Sequence, residues 1–301
     1  MARNWPKVSI VTPSFNQGQF LEETILSVLS QGYPALEYII IDGGSADNSA
    51  EIIRKHQKSL AYWVSEPDRG QSHAINKGME RASGEVIAWL NSDDTYTEGA
   101  IFRAVEALQT HAEVGMVYSD YDVRYETTGE IKRMTSRLKD CHSIFCDVSV
   151  CPIPQPTVFL RRSVWDEVGP LNESLHLAMD YDLWVRVLKR HAAFYLSGTS
   201  LAVIRYYANA KTFKFSHRQA REFLEIFDRT FNDPDFPSVP THIKKAAYVY
   251  AYLRCAVGGV RAEHAYLDGV KWLARSLRIA PVATTTLMAR KFLKSFGSEP
   301  I

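Results

Sequence analysis

The sequence predicts an α/β fold in which a mostly parallel sheet carries helices on both faces and a helical C-terminal region follows. Three observations predict it. Short apolar strands alternate four times with amphipathic helices over the first hundred residues; the strand runs are apolar without a polar break; and the pattern after about Arg218 is almost wholly helical. The 301 residues suffice for one large domain plus an appendage. A hydrophobic content of 46% with 23% charged residues excludes disorder for the bulk. The net charge of +1 offers no global attraction for nucleic acid, and no such partner is expected.

Val8-Ser9-Ile10-Val11 is a β-branched run that stops at Thr12-Pro13-Ser14. Phe20, Leu21, Ile25, Val28 and Leu29 follow at helical spacing, ended by Gly32-Tyr33-Pro34. The second strand, Tyr38-Ile39-Ile40-Ile41, stops at Asp42-Gly43-Gly44-Ser45, and Asp47 or Asn48 is placed to cap a helix through about His56. A third strand, Ala61-Tyr62-Trp63-Val64, runs into Glu66-Pro67-Asp68-Arg69-Gly70. Ser72 is the expected cap of the next helix and Gly84 its stop. The fourth strand, Val86-Ile87-Ala88-Trp89-Leu90, delivers Asn91-Ser92-Asp93-Asp94.

The second half is less regular. Gly115 to Tyr118 reads as a strand, Asp122 to Met134 as a hairpin turning at Thr127-Thr128-Gly129, residues 137 to 154 as a loop, and Gln155 to Leu160 as a strand. Ser163 with Asp166 resembles a capping box, and Met179 to Arg190 is an amphipathic helix. Helices after Arg218 break at Asn232-Asp233-Pro234 and at Pro281. The expected organisation is one domain over residues 1–215 and a helical region over 216–301.

In a parallel sheet the C-terminal strand ends share one edge, where ligands bind. Here all four strands end in polar or acidic residues: Thr12 and Ser14, Asp42, Glu66 and Asp68, Asp93 and Asp94. Clustered carboxylates repel a diphosphate unless Mg²⁺ or Mn²⁺ lies between, since hard cations favour carboxylate oxygen and keep phosphates as ligands. Asp42 and Asp68 are better placed to accept from a ribose or a base N–H. Asp47 reads as a cap.

These segments resemble the family 2 glycosyltransferases, inverting enzymes of the GT-A (Rossmann-like) fold that act on nucleotide-diphosphate sugars. The matching stretches are Val8 to Asn16, Ile41-Asp42-Gly43-Gly44-Ser45, Asn91-Ser92-Asp93-Asp94 and Met179-Asp180-Tyr181-Asp182-Leu183-Trp184. The resemblance implies a nucleoside site at Thr12, Ser14, Asp42, Asp68 and Arg69, with Ser92 in the same nucleotide-binding group. It implies Asp93 as direct metal ligand, with Asp94 beside it. The family motif commonly reads Asp-x-Asp-Asp, whereas this chain has Asn91 first, which keeps an oxygen acceptor and loses a charge.

By position at a helix start Asp180 is either a cap or a site residue; the resemblance makes it the candidate general base, taking the proton of an acceptor hydroxyl that attacks opposite the leaving diphosphate. Asp180, Leu183, Trp184, Val187 and Leu188 form the inward stripe of a helix, which places Asp182 about 160° away. The helix N-terminus favours the ionised form that a base needs. The resemblance alone places Gln155, after a cysteine-bearing loop, near the acceptor. Lys211 and His217, with Arg205 and Arg218, are candidates to close over the diphosphate. Cys141, Cys146 and Cys151 are spaced by five residues, longer than the usual gaps of zinc sites, and with Cys255 they read as reduced thiols.

The expected reaction moves a sugar, from a UDP-sugar first of all, to a hydroxyl of a glycan or lipid-linked saccharide. The alternatives are a sugar-phosphate nucleotidyltransferase and a non-catalytic nucleotide- or glycan-binding module. The first would need a Gly-rich phosphate loop with an Arg, which Pro13-Ser14-Phe15-Asn16 does not supply; Asp93 and Asp180 argue against the second. An N-terminus that leads straight into a strand, with no apolar run near the roughly 20 residues of a bilayer span, is expected of a cytoplasmic protein. The basic, aromatic C-terminal helices would either touch the cytoplasmic membrane face peripherally or pack against the catalytic domain or a second subunit.

Overall fold

The computed structural model describes residues 4–135, 137–146, 151–207, 216–263 and 266–285. They divide into two compact units. One comprises Met1–Leu138 with Pro152–Ala208, the other Lys139–Cys151 with Asn209–Ile301.

The first unit is built on β1 (Val8–Ser14), β2 (Leu36–Asp42), β3 (Tyr62–Ser65) and β4 (Val86–Trp89), parallel in the order β3-β2-β1-β4. Alternate residues face opposite sides, as the pleat requires. Ile10 and Ile40 join Leu21 and Ile25 of helix α1 (Gly18–Leu29) in one core, shared with α4 (Ala100–Thr110). On the other side α3 (Gln71–Arg81) comes so close that a Cβ on its Gly78 would lie 2.4 Å from a Val11 methyl carbon. α2 (Ser49–His56) completes the first three crossovers. Helices thus cover both faces of the sheet, as the unbroken apolar strands predicted.

Beyond β4 the sheet continues as β8-β6-β9-β5 and loses its parallel character. β8 (Phe159–Arg161) runs antiparallel to both β4 and β6 (Val114–Tyr125). β9 (Ala192–Tyr206) is parallel to β6 with register shifts near Ser119 and Asp120, and β5 (Thr95–Tyr96) pairs antiparallel with β9. The expected hairpin is present, β6 pairing with β7 (Ile131–Met134) and Gly129 turning at φ +71°.

Several local expectations are corrected. Gln155–Thr157 is a 3-10 turn and only the residues after it form β8, because Pro156 has no N–H for a ladder. α5 (Arg162–Val168) starts before Ser163 without a side-chain cap, and Asp166 pairs instead with Arg162 at 2.9 Å. Gly70, at φ +112°, precedes α3 in the capping position, and Ser72 instead donates to the Leu175 carbonyl. In α6 (Met179–Leu188) Asp182 is buried, although helical geometry sent it away from the apolar stripe. Arg186 holds it at 2.9 Å and itself donates to the Val168, Gly169 and Pro170 carbonyls.

The second unit contains α7 (Ser216–Phe231), α8 (Thr241–Glu263) and α9 (Tyr266–Ile279). The segment Cys141–Phe145, expected as loop, is a 3-10 helix capped by Asp140, and it sends Phe145 against Phe227, Phe231 and Phe236. Its cysteines are free thiols.

Candidate active site

Register brings the strand ends together. Ser14 lies opposite Asp42, Asp42 opposite Ser65, and Val11 opposite Trp89, so the Asn91–Asp94 turn emerges beside the end of β1. The loops that follow are stitched across. Asn16, at φ +52°, bonds across the edge twice: its N–H donates to Ser45 Oγ at 2.8 Å, and its Oδ1 accepts from Ala46 N at 2.9 Å. A Cβ on Gly43 would lie 2.6 Å from Asp68 Oδ2, so a side chain there would displace the Asp68 carboxylate.

The nucleoside candidates differ in what they have left to offer. Thr12 is buried with its hydroxyl 3.0 Å from Tyr38 Oη. Asp42 is 0% exposed, and its carboxylate accepts from Ser45 N at 2.9 Å, Ser45 Oγ at 2.5 Å and Ser65 Oγ at 2.7 Å. Ser14 Oγ, by contrast, is buried without a hydrogen-bond partner among the described residues. Phe15, beside it and absent from the sequence-based candidates, is 60% exposed. Asp68 accepts from Gly70 N at 2.7 Å, and Arg69 donates to Glu173 through Nε at 3.1 Å and Nη2 at 2.7 Å.

At the end of β4, Asp93 is half-buried and Asp94 buried, the Asp94 N–H closing the turn onto the Asn91 carbonyl at 3.1 Å. Thr24 of α1 donates to the carbonyls of both Ser92 and Asp94. Burial, and then the charge of Asp93 beside it, hold the Asp94 carboxyl well above the usual range. Asp93 accepts a 2.8 Å bond from Tyr207, whose phenol burial and the neighbouring Asp93 push up to about 12. Tyr207 also packs its ring on Phe20. Its only signal in the sequence is its place just past the last strand, where alternation turns it away from Tyr206, which pairs with Tyr125.

Asn91 sits in a directed chain of amides. Gln71 Nε2 donates to Asn91 Oδ1 at 2.8 Å, Asn91 Nδ2 to Gln155 Oε1 at 3.0 Å, and Gln155 Nε2 to the Trp89 carbonyl at 2.8 Å. A carbonyl can only accept, so the Trp89 end sets the direction of every bond. Residue 91 must therefore both accept and donate, which an amide does and a carboxylate does not. Gln155, expected near the acceptor, spends both ends of its amide here.

Asp180 opens α6, half-buried, and accepts from Tyr181 N at 2.8 Å. The helix is anchored by Trp184, stacked on Trp89 with ring centroids 5.5 Å apart, so the candidate base and the acidic turn share one aromatic contact. The loop before it is held by α3, through Ser72 to Leu175 and Asn76 to Leu171. Arg205 is not available to a ligand: it is buried, pairs with Glu23 at 2.5 Å and Glu126 at 3.0 Å, and lies over Phe20. Lys211 and the side chain of His217 lie outside the described residues.

A hard divalent cation needs oxygen ligands and readily keeps water and phosphate among them. Asp93 offers one, and a cation would offset the like-charge penalty on Asp94. Among the described residues no three Asp, Glu, His or Cys side chains converge. The donor set therefore suits an ion held by a carboxylate and completed by nucleotide oxygens, and does not form a closed protein cage.

The layers and strand order are those of a GT-A fold. The chain superimposes on Staphylococcus aureus TarS 1–349, in a structure titled as a complex with UDP-GlcNAc, with a TM-score of 0.69 at 15% identity, covering 93% of this chain and 83% of that one. It superimposes on the mannosyltransferase PcManGT of Pyrobaculum calidifontis, in a structure titled as a complex with GDP-Man and Mn²⁺, with a TM-score of 0.61 at 18% identity, covering 97% and 81%. The family model for glycosyl transferase family 2 matches residues 9–168, and the chain belongs to that family. An uncharacterized glycosyltransferase of Mycobacterium tuberculosis is 38% identical over 115 residues, 38% of this chain and 44% of the relative. The chain spans about half the length of the first curated relatives it matches.

Proposed function

We propose that this chain is an inverting glycosyltransferase that moves a sugar from a nucleotide-diphosphate donor, a UDP-sugar first of all, to a hydroxyl of a glycan or lipid-linked saccharide. The observation that carries this reading is the half-buried Asp93 at the strand-end edge, with Asp180 on a helix anchored to the same strand.

In this reading the nucleoside lies over the ends of β1 to β3. Ser14 has an uncommitted buried hydroxyl to offer and Phe15 an exposed aromatic face for the base. Asp68 and Arg69 line the far side, and Asp42 acts by holding the loop that shapes the pocket. Ser92, Asp93 and Asp94 form the diphosphate end. Mg²⁺ or Mn²⁺ bound at Asp93 would neutralise the charge that develops on the leaving diphosphate. Asp180 accepts the proton of the acceptor hydroxyl as its oxygen bonds to the anomeric carbon. The bond from that carbon to the diphosphate oxygen breaks on the opposite side, which inverts the centre. The Tyr181 N–H in the first turn of α6 donates to this carboxylate. Gln155 positions Asn91, and Lys211 and His217 are assigned to the leaving-group side from the sequence.

The test is Asp180→Asn with a panel of nucleotide sugars. Transfer should fall by about a thousandfold, within the usual range for a general base, while UDP still raises the melting temperature in Mn²⁺ as in the parent. Retained turnover would remove Asp180 as base; loss of UDP binding would show that the residue serves the donor site instead.

A further inference from the structure

Helix α9 carries two faces with different fates. At 100° per residue, Gly269 and Ser276 fall on one side, and both are buried. Trp272 lies near that side and stacks on Tyr252 of α8 with centroids 5.6 Å apart. Tyr266, Leu267, Val270 and Leu277 fall within an arc of about 100° that begins about 60° round from Gly269, and all four are exposed, Leu267 at 80% and Val270 at 64%. Lys271, Arg275 and Arg278 occupy the next arc of about 80° and are exposed as well.

One stripe of the helix is buried, and the outer one sets leucine and valine in solvent. We propose that this outer face of α9 lies in the headgroup layer of an anionic membrane, with Leu267, Val270 and Leu277 inserted and Lys271 and Arg278 against lipid phosphates. These two cations flank the apolar arc on one side, where their long stems let the charges reach headgroups while the arc is immersed; Arg275 lies further round, over Trp272. Charge selects the occupant. Between Thr241 and Thr285 there are seven Lys and Arg against two acidic residues, Glu263 and Asp268. A second copy would set two such basic faces against each other. The apolar arc spans only about 15 Å of helix, too little for the roughly 800 Å² per partner of a stable dimer. Among the described residues no helix is long and apolar enough to cross a membrane, so lying on the surface is the mode left to α9. This proposal is independent of the catalytic reading.

Flotation of the full chain with phosphatidylcholine vesicles, with and without phosphatidylglycerol, at low salt, tests it. The parent should float only with the anionic vesicles. Lys271→Gln with Arg278→Gln should weaken partitioning on the order of 30-fold, from about fivefold per cation. Leu267→Ser with Val270→Ser and Leu277→Ser should weaken it at least as much. Circular dichroism and melting should be unchanged in both, since the replaced side chains are exposed. Failure of the parent to float, or flotation of both variants like the parent, overturns the proposal. So does a concentration-dependent dimer in analytical ultracentrifugation that the triple variant abolishes, which would make a second copy the occupant.

Discussion

Asp42 and Asp93 stand at the same sheet edge, each closing a parallel strand, yet their surroundings make them opposites. The carboxylate of Asp42 is sealed by one N–H and two hydroxyls from Ser45 and Ser65 and touches no solvent. Asp93 is half-buried beside a second acid and accepts from Tyr207. The lesson is that position on the edge nominates a carboxylate, while the count of donors around it decides whether it can still bind anything. Three donors already stand on the first acid, and one on the second among the described residues.

Four substitutions sharpen or break that contrast. Asp42→Ala leaves the Ser45 N–H and two hydroxyls without their acceptor, and should cost about 2–4 kcal/mol in urea unfolding. A neutral result would mean the sealed carboxylate is not structural. Asp93→Ala should leave the unfolding midpoint nearly unchanged and weaken UDP binding in Mn²⁺ on the order of 100-fold by calorimetry. With no metal added, variant and parent should bind UDP alike, and a metal-independent loss would assign Asp93 directly to the nucleotide.

Glu37, near the start of β2, extends the comparison to an acid far from the edge. Burial alone would raise its pKa, but bonds from Lys7, Ser9 and Ser83 overcome that and bring it down to about 2. Because the folded value is depressed, its contribution is complete above the unfolded value of about 4.5 and is lost as pH falls from there towards 2. Glu37→Gln should remove about 2 kcal/mol of that acid-side loss, read from urea midpoints at neutral and low pH. Parallel pH curves for parent and variant would contradict it.

The smallest effect is expected at Asn91. If charge alone mattered, Asn91→Asp would restore the family's acidic pattern and tighten Mn²⁺. The amide chain predicts the reverse: an acceptor-only side chain would face Gln155 Oε1, and no flip of Gln155 helps because Trp89 offers only a carbonyl. Mn²⁺ affinity, followed by the paramagnetic signal of the free ion, should fall by about tenfold, roughly the 1–2 kcal/mol of an unsatisfied polar contact. Tighter binding would show that the turn tolerates the repulsion.

Much of this was legible in the chain itself. Apolar runs broken by glycine and helical periodicity located β1 to β4 and their crossovers, because each is a local consequence of burying one face or both. Asp93 and Asp180 stand at a strand end and a helix start, positions that sequence specifies, and the resemblance to family 2 glycosyltransferases supplied their roles. Gln71, Phe15 and Tyr207 could not: they meet the site through loops, side-chain direction and a strand more than a hundred residues away. Asp182 shows the limit of periodicity, since Arg186 and three carbonyl groups make a burial that an apolar stripe does not foresee.

The sequence by itself determined a parallel α/β sheet, the edge where its ligand-facing loops gather, and a basic helical tail. Only the tertiary structure decided which acids at that edge are already satisfied and why residue 91 is an amide. It also decided which face of the last long helix is left outside. The physical reason is the same in each case: hydrophobic patterning is written along the chain, whereas hydrogen-bond satisfaction and exposure depend on what distant segments bring to the same point.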